Sequence, residues 1–143
     1  MDCKSLMIGD WVLLWNKPQR VNYIILDDGE RIGTDKQYLA QIVEAFEPIP
    51  LTAEILEKIG LRKITLDGEK GSKQDYYIDT HIVGYYNMDA LTRVHASPIV
   101  YDIKQKWLFV DDKQVCRIEL MCPYVHTLQH ALRLCGIDKE IVL

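Results

Sequence analysis

The chain has no long apolar run, no paired cysteine spacing and no excess of basic residues, and each absence removes a class of protein. A transmembrane helix needs about 20 consecutive apolar residues, and the sequence has no such run and no basic-then-apolar leader. The expected compartment is therefore the cytoplasm. Cys3, Cys116, Cys122 and Cys135 lack any CxxC pair, so free thiols are expected rather than a disulfide framework. Lys and Arg number 17 against 21 Asp and Glu, for a net charge of -4. Acidic residues exceed basic ones in the first 48 residues and again in the remainder, which disfavours nonspecific duplex binding through phosphate neutralisation. Walker and Rossmann glycine loops are missing, as are internal repeats and low-complexity stretches.

What is present is the make-up of a folded protein. With 48% apolar and 27% charged residues over 143 positions, the chain suits one domain, or two small lobes sharing a core. The expected division is a small β-barrel-like lobe over 1–48 and an α+β lobe over 49–143, together forming one compact unit.

The first third reads as β structure. In LMIGDWVLLW, Trp11, Leu13 and Trp15 alternate with Val12 and Leu14, so both faces are apolar and the strand is buried on two sides or closes a small barrel. VNYIILDDGERI then supplies two strands around an Asp28-Gly29 turn. YLAQIVEAF predicts a third strand over Leu39 to Phe46. The expectation is an SH3-like barrel or a curved antiparallel sheet.

PIPLTAEILEKIGL predicts a short connecting helix. Pro48 and Pro50 keep the approach extended. Thr52 is an N-cap, Glu54 suits the helix dipole, Leu51 can staple to Leu56, and Gly60 stops the helix with Leu61 folding back over Leu56. A helix of under two turns does not persist alone, so Ile55, Leu56 and Ile59 must dock. From Leu61 to Leu120 the pattern is again β. LRKITL leads into Asp67-Gly68 and an exposed GEKGSKQ loop flanked by Arg62, Lys63, Lys70 and Lys73. In DYYIDTHIVGYY, Tyr76, Ile78, Thr80 and Ile82 form the expected core face. MDALTRVHASPIVYD carries mixed signals, and KWLFVDDKQVCRIEL reads as a hairpin turning near Asp111 and Asp112.

The last helix, within PYVHTLQHALRLCG, has two unlike faces. Val125, Leu128, Ala131, Leu132 and Cys135 form an apolar stripe, and Gly136 with Ile137 ends the helix. His126, Gln129, His130 and Arg133 gather opposite and are the candidate residues for binding a partner. Cys122, His126 and His130 are spaced four and four, as a metal chelate on one helix face would be. Pro123 puts Cys122 at or before the helix start, and a fourth ligand is missing, so no metal is favoured. Asp79 and His81 make an acid-base pair on one strand face, but no nucleophile accompanies them, because Ser5, Ser72 and Ser97 lack a GxSxG context. Tyr and Trp are plentiful, with 8 and 3 residues. Those that are exposed would anchor a protein or stack a nucleobase.

Two stretches, PIPLTAEILEKIGL and YVHTLQHALRLCG, carry a resemblance. The chain resembles an uncharacterised family of small bacterial and phage or prophage proteins with an IPLTEE short helix ended by Gly and a C-terminal YVHxLQ helix. The shared motifs cover Ile49 to Leu61 and Tyr124 to Gly136, about a fifth of the chain. In that pattern the position of His130 is more often Asn. The resemblance implies no activity and no cofactor.

The resulting expectation is an α+β protein: a small barrel or curved sheet, a connecting helix, and an antiparallel sheet packed with a C-terminal helix. Its expected role is that of a noncatalytic accessory or protein-interaction protein of a phage or mobile element. The alternatives are a nucleic-acid or nucleotide-binding protein with an anti-defence role, and a metal-dependent enzyme using His126, His130 and a cysteine. Ile141 to Leu143 is expected to form an edge strand able to build a homo-oligomer by strand addition.

Overall fold

The computed structural model describes residues 3–27, 29–81, 84–111 and 117–143. Among these residues the fold is α+β, with two five-stranded antiparallel sheets and three α-helices. The chain divides into two compact units. The first holds the residues up to Pro50 with Tyr124–Gln129 and Leu143, and the second holds Leu51–Pro123 with His130–Val142.

In the first unit the strands are β1 (Trp11–Leu14), β2 (Lys17–Ile25), β3 (Arg31–Thr34), β4 (Gln41–Ile42) and β5 (Phe46–Pro48), in the order β4-β3-β2-β1-β5. β1 and β2 are joined by Trp15 and Asn16 alone, with φ of 50° and 62°. Two successive left-handed residues are what a two-residue hairpin turn of the right twist requires. Asn adopts this conformation readily, whereas a bulky Trp seldom does. The core is built from Leu6, Val12, Leu14, Val21, Ile32, Val43 and Phe46.

The strand expected over Leu39 to Phe46 is instead β4, a 3-10 turn at Val43–Ala45, and β5. The turn buries Val43 and reverses the chain so that β5 pairs with β1 rather than extending β4. In this order β4 and β5 are the two sheet edges among the described residues, and no closed barrel forms. β2 is bulged between Val21 and Tyr23, which bends the strand. Beyond the bulge Tyr23 lies opposite Gly33, and a Cβ at Gly33 would coincide with the Tyr23 ring. Glycine is needed there so that an aromatic can lie flat across the neighbouring strand.

The second unit contains α1 (Ala53–Lys58), β6 (Leu61–Asp67), β7 (Lys73–Asp79), α2 (Ala90–Ala96), β8 (Ile99–Asp102), β9 (Trp107–Asp111) and β10 (Arg117–Met121). Its sheet is a meander, β10-β9-β8-β7-β6. The α1 signals act as expected: Thr52 accepts from Ile55 N, Leu56 and Leu61 are buried, and Gly60 ends the helix at φ 97°. β9 and β10 form the expected hairpin, although its turn, with Asp112 and Cys116, lies outside the described residues. So do Asp28 of the first hairpin and Ile82.

The core face expected on β7 needs correction. Tyr76 and Thr80 are only half-buried, whereas Tyr77 and Ile78, on opposite faces, are both buried. Tyr77 pairs with Tyr101, which pairs with Leu108, and this row with Leu61, Ile99 and Val110 is nearly inaccessible. On the other face Ile78 and Val100 meet Val94 of α2. A sheet buried on both faces gives no alternating signal.

The last helix, α3 (Val125–Leu134), buries Val125, Leu128, Ala131 and Leu132, and Cys135 beyond its end is buried too. Gly136, at φ 69°, lets Ile137 N donate to Leu132 O over 2.9 Å, the Schellman closure. Residues 125–129 of α3 group with the first unit and the rest with the second. The edge strand expected over Ile141 to Leu143 is absent. Ile141 is buried, and it serves as an apolar anchor rather than as one rung of a ladder.

Gly33 has no unusual φ, and the atoms nearest to a Cβ there all belong to the Tyr23 ring. Gly33→Ala should cost about 1 to 2 kcal/mol in urea denaturation. In a Tyr23→Ala background the same change should be neutral or stabilising, and equal costs in the two backgrounds would refute the packing argument.

Candidate functional site

Gln129 and His126, two of the four candidate binding residues on α3, are buried, whereas Arg133 is exposed and His130 half-buried. Gln129 Oε1 accepts from Trp11 N at 2.9 Å, and Gln129 Nε2 donates to Gly9 O at 3.1 Å. The amide fills both bonding roles on the backbone that enters β1. The His126 ring stacks on Tyr124 with centroids 5.7 Å apart and planes 7° from parallel. On this face His130 and Arg133 are the residues that reach solvent.

Cys122 is buried. Its N–H donates to Lys106 O and its carbonyl accepts from the Tyr101 hydroxyl at 2.8 Å. Among the described residues no group of three or more His, Cys, Asp or Glu is placed to hold a metal ion, so Cys122, His126 and His130 are not gathered into one.

Asp79 and His81 do meet, with Oδ1 3.1 Å from Nδ1 and accepting from His81 N at 2.9 Å. They form a tight turn past the end of β7 rather than a pair on one sheet face, and the His81 side chain is 84% exposed. Burial opposes ionisation of Asp79. The His81 backbone and ring bonds with the Lys139 charge outweigh it, and the carboxyl sits below its ordinary range. Ser97, one of the serines considered as a nucleophile, is buried and its hydroxyl accepts from Asp79 N.

Two other features were not legible in the sequence. The outward face of the first sheet carries Tyr23 and Ile25 on β2, Arg31 on β3 and Ile42 on β4, all exposed. Register puts them together, because Ile25 pairs with Arg31 and Arg31 with Ile42, and cross-strand partners share a face. Tyr38 and Leu39, just before β4, are 97% and 67% exposed. The second feature is a cavity of about 170 Å³ between α2 and the outer face of the second sheet. Leu66, Val100 and Phe109 form its floor, Leu91 and Val94 its roof, and His95 and Arg117 its polar edge. The β2 bulge hides the first feature, because it shifts which residues of that strand face outward. The second depends on α2, whose sequence carries mixed signals.

No family model matches the chain, and no curated protein or solved structure matches it.

Two outcomes test these placements. Gln129→Leu removes the side-chain bonds to Trp11 N and Gly9 O and should cost about 2 to 4 kcal/mol, whereas Arg133→Ala should cost under about 1 kcal/mol; equal urea midpoints for the two would overturn the pegging role. A carboxyl held below its ordinary value stabilises the fold above its unfolded pKa, and this contribution disappears as pH falls through the folded pKa. The stability gap between the wild type and Asp79→Asn should therefore be present at pH 7 and close on acidification below about pH 4, as read from denaturation midpoints.

Proposed function

We propose that the chain is a noncatalytic, cytoplasmic interaction protein that binds a protein partner through the outward face of its first sheet. The supporting observation is the exposed apolar side chains Tyr23, Ile25 and Ile42 set around Arg31 on one face, with Tyr38 and Leu39 beside the edge strand β4. Solvated sheet faces are normally polar. A partly apolar face ending at a sheet edge offers side-chain contacts and backbone groups together, the arrangement by which sheets recruit partner segments.

We read the strand order, with a 3-10 turn ahead of a last strand that returns to β1, as an open SH3-like arrangement, and this reading favours an interaction role by analogy of fold alone. The resemblance to small phage and prophage proteins supports an accessory role in a mobile element. His130 and Arg133 form a second polar contact surface on α3.

A nucleic-acid or nucleotide ligand is the second reading. Trp15 at the tip of the β1–β2 hairpin is 62% exposed, and its ring is available for stacking. The acidic balance of the first 48 residues weighs against a phosphate-rich partner.

Photocrosslinking separates the two readings. A photoreactive phenylalanine in place of Ile42 should give a discrete heteromeric adduct in host cells, and one in place of exposed Lys70 should not. The adduct should vanish with Ile25→Lys, a surface change expected to alter stability by under about 0.5 kcal/mol. Background labelling at both positions would sink the protein-partner reading. A thermal shift with oligonucleotides or cyclic nucleotides that weakens in high salt would replace it with the second.

A further inference from the structure

The cavity under α2 has the size and lining of a small-ligand site, and it uses none of the residues of the face proposed above. Its volume is about 170 Å³. Engineered cavities of about 150 Å³ accept a benzene-sized ring. Leu66, Val100, Phe109 and Leu91 supply the apolar surface, which alone would select any hydrocarbon of that size.

The polar edge narrows the choice. Arg117 is anchored on three sides. Its Nη2 donates to Ser97 O at 3.0 Å, its guanidinium lies 5.7 Å from the Phe109 ring centroid, and its Nε is 3.3 Å from Asp111 Oδ1. The last contact is an ion pair without the alignment of a hydrogen bond, because Nε is buried and makes none. The Asp111 side chain is 46% exposed, and this solvated carboxylate neutralises Arg117 only weakly. Among the described residues neither polar contact uses Nη1. A planar guanidinium presents its donors as a fork that matches a carboxylate, and this guanidinium lines an otherwise largely apolar cavity.

We propose that this cavity binds a small carboxylate with an aromatic ring or a branched aliphatic chain, its apolar part on Val100 and Phe109 and its carboxylate on Arg117. The site is preorganised, because the Ser97 carbonyl and the Phe109 ring hold the guanidinium in place before any ligand arrives. Affinity for a ring alone or for an acid alone is low, and selectivity requires both parts.

Benzoate, benzyl alcohol and acetate titrated into the full chain, followed by amide chemical shifts and thermal melting, test the proposal. Benzoate should perturb the resonances of Leu91, Val100 and Phe109 and raise the melting temperature, binding at least about ten-fold more tightly than either of the others. Arg117→Gln should abolish that ten-fold preference. Leu91→Trp fills the cavity from an exposed position without touching the ion pair, and it should block benzoate while the protein stays folded. Equal binding of benzoate and benzyl alcohol would overturn the role of the guanidinium. Benzoate binding that survives Leu91→Trp, or no binding at tens of millimolar, would overturn the site.

Discussion

Gln129 commits its whole side-chain amide to the backbone just ahead of and at the start of β1, accepting from Trp11 N and donating to Gly9 O. β1 lies between β2 and β5, so whatever fixes its first residue fixes the register of both neighbours. A buried polar group without a partner costs about 1 to 3 kcal/mol. Sliding β1 by one residue would break both Gln129 bonds at once and turn Val12 and Leu14 outward. The Gly9 and Asp10 backbone adds bonds to Val21, and Asp10 accepts from Met7 N. The segment before β1 is thus pinned from several directions, and the residues on the far side of the sheet inherit their placement from it.

Ser97 plays the same part in the second unit. Its hydroxyl accepts from Asp79 N and donates to Ile99 O, while its carbonyl accepts from Arg117. One fully buried serine therefore ties the end of β7, the start of β8 and the side chain at the head of β10. It follows directly after α2, whose N-cap is Asp89, accepting from Thr92 N. α2 is thus capped at its start and tied to the sheet through Ser97 directly after its end. Tyr101 shows the related constraint on the other face. Burial pushes its phenol well above the ordinary range, and its hydroxyl stays neutral as a donor to the Cys122 carbonyl.

What could be read from the sequence was local. Thr52 and Gly60 bracket α1 and Gly136 closes α3 because capping depends on one or two residues and their immediate neighbours. The apolar stripe of α3 was legible for the same reason, since its period is a property of the helix alone. The candidate residues on the opposite face show the limit: polarity marked His126 and Gln129 as available to a partner, but a buried amide that satisfies a backbone 120 residues away is polar too. Ile42 reads as an ordinary strand hydrophobe, and only pairing across β2, β3 and β4 reveals that its face is open. The 3-10 turn at Val43–Ala45 was hidden because a strand and a tight turn that buries one valine have the same composition.

The hairpin tip shows where stability and exposure part company. A left-handed bulky residue costs about 1 to 2 kcal/mol, and Trp15 does not recover this by burial, since most of its surface faces solvent. The neighbouring pair Leu14 and Lys17 allows only two residues in the turn, so the left-handed twist is imposed on Trp15, and Asn16 relieves only its own half. A glycine in its place would satisfy the backbone at lower cost. The exposed indole and the exposed apolar side chains Tyr23, Ile25 and Ile42 are thus features that folding alone does not reward, and both belong to the unit for which a binding face is proposed.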